Sequence, residues 1–569
     1  MKTLNLHVDY IKFKPLKKAL KSIADLPEKE KQEQEIKEAL VVLTAVEKSD
    51  TDINKIVEKY IENIKDIAKQ VNANNIVLYP YAHLSKVLSS PEIAQEILIK
   101  AEENLKKEKF KVTRAPFGYY KEFELKVKGH PLSELSREIK IETAGAKIEE
   151  EYEPKQLLRE ISKSKLDTSK LKENDHRIIG RQMDLFSFNE VAPGMVFWHN
   201  NGLIIYEELE KYWKEEHKKN NYEIIKTPQI MDSKLWKISG HWDKYKDFNF
   251  ITEYEKRPFL VKPMNCPGGM LVFKNSPKSY KDLPLRIGEL GVIHRVELSG
   301  VLAGLFRVIQ FTQDDAHIFC ANEKQTEEEI FGVIDLINEF YKKFELKLDH
   351  IEFSTRPEKR IGSDEMWDMA ENLLETALKK RKIKYKINKG DGAFYGPKID
   401  FHIKDSLERT WQMSTIQLDF ALPERFELEY TDKDNIKKRP IMLHRVIYGS
   451  IERFMGILLE HTNGRLPTWL APIQVRILNF TDRNEKYAKK IIEKLSKEIP
   501  NSRIDSDFEA KTVQAKVKEA ELMKIPLIIV IGDKEEKENS VAVRKGGEVQ
   551  NIKIDKFIEK LASEIKNRE

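Results

Sequence analysis

The sequence predicts a multidomain protein of mixed α/β and α+β class. Three observations lead there. A chain of 569 residues exceeds what one hydrophobic core usually supports, so two to four domains are expected. Both ends alternate apolar runs with Lys/Glu-rich helical stretches, the pattern of α/β domains. The middle carries two arms of partly alternating apolar and polar residues around a glycine-marked loop, within Leu285–Cys320, which is the pattern of an antiparallel hairpin.

Composition narrows the class. Charged residues make up 34% of the chain, yet the net charge is only +5. That balance argues against coating nucleic acid by bulk electrostatics and permits a local basic groove. Two cysteines, Cys266 and Cys320, cannot build a disulfide framework, and the opening MKTLNLHVDY lacks an apolar stretch of signal-peptide length. No run of about 18 apolar residues offers a membrane span. A cytosolic protein with no membrane partner is expected.

Residues 1–140 read as an α/β domain. Period-two reading of Tyr119–Val127 puts Tyr119, Lys121, Phe123, Leu125 and Val127 on one face, so Lys121 is the lone charge on an apolar face. Either its stem packs while the ammonium reaches water, or the lysine waits in a pocket for a polar substrate. Residues 141–175, rich in Ser, Lys and Asp without an apolar stripe, read as a linker. Beyond them an amphipathic helix is expected near Leu203–Lys219, and then a strand over Tyr222–Ile230 that ends at Pro228.

Cys266 precedes Pro267, Gly268 and Gly269, so it projects from a turn. As a single cysteine it would usually be inert core. His317 and Cys320 form an HxxC pair that could compete as metal ligands. In the hairpin, strands are expected over Ile287–Arg295 and Leu305–Phe311. Its arms and continuation carry Arg295, Glu297, Arg307, Gln313, Asp315 and His317. These are either cross-strand ion pairs or a guanidinium fork for a phosphate or carboxylate, with a nucleotide the first candidate.

Residues 321–390 read as an inserted helical region with a capping signal near Ser363–Met366. Two strands follow, in GDGAFYGPKIDFHI and RTWQMSTIQLDF. A helix is expected over Met442–His461. At about 100° per residue its buried stripe is Ile447, Ile451, Phe454, Met455 and Leu458, with Gly449, Arg453 and Gly456 on the other side. Glycines cost a helix about 1 kcal/mol each, so that side reads as pressed against a ligand or a sheet rather than solvated, with Arg453 a phosphate ligand rather than a surface charge. The chain then restarts as strand, helix, strand, helix, strand, an α/β domain with a largely parallel sheet.

The hairpin resembles motif 2 of the class II aminoacyl-tRNA synthetases, and FTQDDAHIFC with KPMNCPGG (Lys262–Gly269) is similar to the threonyl enzymes among them. The likeness runs from about His176 to about Glu536. HRIIGRQMDLF through YEIIKTPQI resembles motif 1, and MLHRVIYGSIERFMGILLEH resembles motif 3. VLYPYAHLS (Val77–Ser85) with GYYKEFELKVKGHPLSELSR resembles the archaeal editing domain, a relative of D-aminoacyl-tRNA deacylases. The resemblance implies an editing domain over 1–140, a linker over 141–175, a class II antiparallel-sheet catalytic domain over 176–470, and an anticodon-binding domain over 471–569.

It also implies chemistry: L-threonine activated by ATP with Mg2+, transfer to tRNA(Thr), and a homodimer built through motif 1. By resemblance Cys266, His317 and His444 hold one zinc ion per subunit, with the fourth position open. Arg295 would hold the α-phosphate and carboxylate, Glu297 the adenine amino group, and Arg307 and Arg453 the triphosphate tail. Gln313, Asp315, Tyr395 and Lys398 would bind threonine, and Gln412, Thr415 and Gln417 the nucleotide. His241 would assist the ribose hydroxyl during transfer. In the editing domain His83, Tyr120, Lys121 and Glu134 would hydrolyse mischarged serine, with Lys121 organising a water.

The chain departs from the family pattern at Val8, Gly269, Met413, Ser414, Glu509 and Lys511. Val8 stands where relatives often have serine, and Gly269 where they have histidine. Met413 and Ser414 replace Cys and Gly. At Glu509 and Lys511 the usual Arg-then-Glu charges are exchanged, which leaves the anticodon contacts unassigned.

Overall fold

A computed structural model describes residues 1–20, 23, 25–85, 87–139, 154–161, 171–244 and 248–569. Most of the expected linker, at 141–153 and 162–170, lies outside the described residues, as does Tyr245. The chain divides into two compact units, Met1–Glu151 and Tyr152–Glu569.

The described residues of the first unit form one six-stranded sheet with two helices. Its strands are β1 (Lys2–Lys18), β2 (Gln34–Ala45), β3 (Asn75–Pro80), β4 (Lys111–Arg114), β5 (Tyr119–Val127) and β6 (Glu134–Glu138). The order is β4-β3-β2-β1-β5, and β6 pairs with the start of β1. β2, β3 and β4 run parallel, whereas β1 is antiparallel to β2, β5 and β6. Helix α1 (Ile53–Val71) is capped by Asp52, whose side chain accepts from the Lys55 N–H, and stops at Asn72 in the left-handed region. Its stripe of Ile56, Tyr60, Ile64, Ile67 and Val71 packs with α2 (Pro91–Lys107) on the sheet face presenting Leu40, Val42, Ile76 and Leu78. Each such side chain contributes about 1.5–3 kcal/mol by leaving water.

The second unit is organised around an eight-stranded sheet of described residues. In chain order the strands are β7 (Glu223–Ile224), β8 (Leu285–His294), β9 (Gln310–Cys320), β10 (Lys347–Ser354), β11 (Lys386–Asn388), β12 (Lys398–Lys404), β13 (Thr410–Asp419) and β14 (Ile441–Val446). They lie in the order β11-β10-β12-β13-β14-β9-β8-β7, antiparallel except for the parallel edge pairs β10–β11 and β7–β8. One face packs on α3 (Asn200–Lys219), α5 (Glu323–Lys343), α6 (Asp364–Lys380) and α7 (Ile451–His461) in the main core. The short helix α4 (Cys266–Lys274) packs in a second cluster with Ile287, Phe319, Tyr395 and Met442.

Several expected elements change shape. The segment Tyr222–Ile230 is not one strand: Glu223–Ile224 pairs with β8, and Ile230–Asp232 joins a separate small sheet. Between them the Thr227 N–H and hydroxyl turn inward onto buried Glu289. The second hairpin arm starts at Gln310 rather than Leu305, because Gly304–Phe306 forms a 3-10 turn that buries Leu305. Residues 321–390 are more than an inserted helical region, since β10 and β11 complete the main sheet. The capping signal holds, with the Ser363 hydroxyl accepting from the Met366 N–H.

The expected helix Met442–His461 is half strand. Ile441–Val446 pairs on both sides in the middle of the sheet, and the chain turns at Gly449 (φ +78°) before α7 starts behind Ser450. A Cβ at Gly449 would sit 2.9 Å from the Met413 carbonyl oxygen. Gly449→Ala is therefore expected to lower unfolding free energy by about 1–3 kcal/mol, measured by urea denaturation.

The last part of the second unit has strands β15 (Val475–Asn479), β16 (Ile504–Asp507), β17 (Leu527–Ile531), β18 (Ser540–Lys545) and β19 (Glu548–Lys553), ordered β16-β15-β17-β18-β19. The first three are parallel and the last two form an antiparallel hairpin. Its own core holds Val475, Ile491, Leu495, Ile529 and Phe557. Arg503 ties it back to the rest of the unit, donating to the Ala471 carbonyl at 2.9 Å and meeting Glu208 at 3.1 Å.

Candidate functional site

On β9, alternation sends Gln313, Asp315 and His317 to one face and Asp314, Ala316, Ile318 and Cys320 to the other. Cys320 therefore sits in the main core with Ala316 and Ile318, away from His317. That separates the HxxC pair. His317 instead stands directly across the β9–β14 ladder from His444, with ring centroids 5.0 Å apart. Cys266, at the start of α4, completes a buried group whose ligand atoms lie within 4.8 Å of one another. His444 is oriented by Asp419, whose carboxylate is 2.8 Å from Nε2. His317 Nε2 has no hydrogen-bond partner among the described residues.

This donor set fits zinc. One thiolate and two imidazoles are what that ion prefers, at bond lengths of about 2.0–2.3 Å. A carboxylate behind one histidine is the usual orienting arrangement. Gly269 leaves room beside the group, since a Cβ there would lie 3.2 Å from His317 Nδ1. Asp315 stands 3.6 Å from His317 Nε2, and the Asn265 amide donates to it at 3.3 Å. Burial raises the Asp315 carboxyl to about 6, a rise opposed by His444.

The arginines gather beside this group. Arg295 donates to the Pro263 carbonyl at 3.2 Å and packs over Phe311. Arg453, in the first turn of α7, donates through Nε to the Phe306 carbonyl at 2.9 Å. Arg307 pairs with Glu297 at 2.9 Å. Burial lowers the Arg453 pKa, and neighbouring Arg307 adds to the shift while Glu297 opposes it. Arg295 also contacts the Met264 sulfur at 3.3 Å, so its guanidinium lies against the segment that leads into Cys266. His241 is fully buried, with Nδ1 2.8 Å from the Ser239 hydroxyl. Burial and His444 push its pKa to about 3, leaving a neutral imidazole at pH 7.

Across the sheet, Gln412 and Thr415 both donate to one oxygen of Asp400, each at 2.8 Å. Strict alternation would put them on opposite faces. A bulge at Met413, where Phe401 pairs with Ser414 and His402 with Gln412, brings them together. Lys398 meets the other Asp400 oxygen at 2.8 Å, and the Tyr395 hydroxyl donates to Gln417 at 2.5 Å. Asp400, Asp419 and Asn265 were not singled out from sequence. Asp400 had a signal, since Lys398, Asp400 and His402 are polar at alternate positions of an otherwise apolar strand.

In the first unit a cavity of about 510 Å³ opens at the carboxyl ends of β2 and β3, lined by Tyr79, Tyr81, His83, Tyr119, Tyr120 and Lys121 among others. Lys121 Nζ donates to the carbonyls of Pro116 (2.9 Å) and Tyr119 (3.1 Å) and lies 5.0 Å from the centre of the Tyr79 ring. Burial pulls its pKa down to about 8. Lys121 is thus held in a pocket rather than reaching bulk water. Glu134 is not brought there: it is exposed on β6 opposite Leu6, whereas Lys121 pairs with Pro15 at the far end of β1. Phe123, expected on the apolar face, is 42% exposed.

Comparison with known proteins gives three family matches. The archaea-specific editing domain of threonyl-tRNA synthetase matches residues 1–139, the tRNA synthetase class II core domain (G, H, P, S and T) matches 248–462, and an anticodon binding domain matches 474–564. Threonine–tRNA ligases of Caldanaerobacter subterraneus and Desulforamulus reducens are 53% and 51% identical over 396 and 399 residues, 69% and 70% of this chain. The chain spans 61% and 62% of the length of those relatives. Among solved structures, the RNA binding domain of threonyl-tRNA synthetase from Cryptosporidium parvum is 39% identical with a TM-score of 0.66, covering 68% of this chain and 98% of that one. ThrRS-1 from Aeropyrum pernix is 28% identical with a TM-score of 0.61, covering 69% and 96%. A prolyl-tRNA synthetase from Cryptosporidium parvum, 18% identical with a TM-score of 0.54 over 69% of this chain and 76% of that one, shares the fold.

Proposed function

Because the chain belongs to the threonyl-tRNA synthetase family, we propose that it activates L-threonine with ATP and transfers it to tRNA(Thr), and that its first unit hydrolyses serine from mischarged tRNA(Thr). The observation that carries this reading is Arg295, which stacks over Phe311 of the hairpin and is hydrogen-bonded to the Pro263 carbonyl, three residues before Cys266 of the buried Cys–His–His group. A nucleotide triphosphate and an amino acid with a metal-binding side chain are the substrates such a pair of neighbours suits.

Activation moves charge onto non-bridging phosphate oxygens, which fixed guanidinium groups and Mg2+ stabilise. Arg295 holds the α-phosphate and carboxylate, Arg307 and Arg453 the outer phosphates, and Glu297 accepts from the adenine amino group. Gln412, Thr415 and Gln417 complete the nucleotide pocket, while Gln313, Tyr395 and Lys398 face threonine. Cys266, His317 and His444 would hold zinc, which when bound supplies a Lewis-acid position for the amine and hydroxyl of threonine. Asp315 accepts the hydroxyl proton's hydrogen bond, and His241, neutral at pH 7, accepts from the ribose hydroxyl in transfer.

Valine matches threonine in shape, and an apolar pocket separates such isosteres only about 10²-fold, whereas a site that binds the hydroxyl reaches about 10⁴–10⁵. Serine keeps the hydroxyl and lacks one methyl, worth about 1–3 kcal/mol, so some serine is activated. The first-unit cavity answers that need, with His83, Tyr120 and Lys121 as its working groups and Glu134 unassigned within one chain. A homodimer would cover the exposed apolar side chains of Leu203, Ile224 and Ile230 in the motif 1 segment. A cytoplasmic location suits this reading, and among the described residues no helix is long and apolar enough to cross a membrane.

Charging of tRNA(Thr) with threonine and not with proline, measured by acid-precipitable radiolabel, tests the assignment against the prolyl reading that the shared fold suggests. Asp419→Asn probes the zinc proposal without touching a ligand. It is expected to weaken zinc binding about 10–100-fold, measured by chelator competition.

A further inference from the structure

A second group of ligand-type side chains lies on the same sheet, on β10 and β12. His350, Glu352 and His402 offer ligand atoms that all lie within 4.8 Å of one another. Their placement follows from register. His350 and His402 are direct partners across the β10–β12 ladder, and Glu352 is the next residue on the same face of β10. Both Nε2 atoms point at one carboxylate, His350 at 3.2 Å from Oε1 and His402 at 3.6 Å from Oε2.

Hydrogen bonding around the group is incomplete in a particular way. His350 Nδ1 is 2.7 Å from the Asp349 carboxylate. A neutral ring that donates there turns the lone pair of Nε2 toward Glu352, two acceptors facing each other. His402 Nε2 is buried with no hydrogen-bond partner among the described residues. Glu352 is steadied from behind by the Asn388 amide at 3.0 Å. A cation between the two imidazoles and the carboxylate would satisfy both Nε2 lone pairs and the Glu352 charge at once.

We propose that His350, Glu352 and His402 form a second divalent-metal site. Two imidazoles and one carboxylate select Zn2+, Co2+ or Mn2+ over Mg2+, which prefers oxygen ligands. Asp349 behind His350 and Asn388 behind Glu352 are the outer partners that metal ligands ordinarily have. The two rings are nearly parallel, 9° apart with centroids at 4.3 Å, so their lone pairs do not yet converge. Loading turns one ring about its Cβ–Cγ bond, and His402, whose Nε2 gives up no hydrogen bond, is the ring that turns. The site adjoins Asp400, opposite Glu352 in register, so the ion steadies the strands that hold Lys398, Gln412 and Thr415.

The test is cobalt stoichiometry of the full chain produced in zinc-poor, cobalt-supplemented medium. Two equivalents are expected, with a thiolate-to-cobalt charge-transfer band that reports Cys266 and accounts for one of them. His350→Gln and His402→Gln should each retain one equivalent and the full band, and Asp349→Asn should weaken the second equivalent about 10–100-fold. A single equivalent without that band, lost in His402→Gln, would uphold this site and count against the Cys266 site. One banded equivalent in the wild type, or two equivalents unchanged in both histidine variants, overturns the proposal and leaves His350 as a hydrogen-bond bridge between the Asp349 and Glu352 carboxylates.

Discussion

Arg453→Ala is expected to reduce threonine-dependent ATP–pyrophosphate exchange by about 10²–10³-fold, the usual effect of removing one fixed donor to transition-state charge. Its Nε is fixed by the Phe306 carbonyl, so the fork of the guanidinium is positioned before substrate arrives. Arg295 and Arg307 already repel it, and burial makes its charge harder to hold. Such a cluster costs stability until a polyanion fills it. Arg453→Ala should therefore leave the unfolding temperature without ATP unchanged or raised, while the stabilisation that ATP confers shrinks. A purely structural arginine would behave in the opposite way.

Lys121→Met is expected to slow hydrolysis of seryl-tRNA(Thr) by at least about a hundredfold and to leave threonine charging intact. Two of the ammonium protons are committed to the Pro116 and Tyr119 carbonyls, which aims the group into the cavity. With its pKa pulled from 10.5 to about 8, the wild-type reaction should fall off as pH rises through 8, provided the charged form orients the water. Stability runs the other way. The folded pKa lies below the unfolded one, so Lys121 makes folding more favourable as pH rises from about 8 to 10.5. Below 8 the buried charge is a cost that methionine removes, so Lys121→Met should unfold no more easily than wild type at pH 7. Unchanged serine release would remove the editing assignment.

Period-two alternation puts Lys121 on an apolar face from sequence alone. The facing of Gln313, Asp315 and His317 away from Cys320 emerges only with the strand β9, which runs on past the expected end at Phe311 and separates the HxxC pair. Across Met413 strict alternation would part Gln412 from Thr415, because a single bulge residue reverses the faces and nothing in the local sequence announces it. The sequence reads Met442–Val446 into the helix Met442–His461, although the apolar stripe of that helix begins only at Ile447. Pairing with β9 and β13 on both sides decided otherwise, and no local signal reports pairing with strands this distant in sequence. For the same reason Cys266, His317 and His444 became a group only through resemblance, since their proximity is made by the ladder and by α4. Asp419 and Asp400 matter through the side chains they hold, and that kind of role appears only once partners are in place.

The most direct measurement is amino-acid-dependent ATP–pyrophosphate exchange with threonine, serine and valine, on protein whose zinc has been quantified. Fast exchange with threonine, slower exchange with serine and none with valine is expected. Equal exchange with valine, or none with any of the three by zinc-loaded protein, would contradict it.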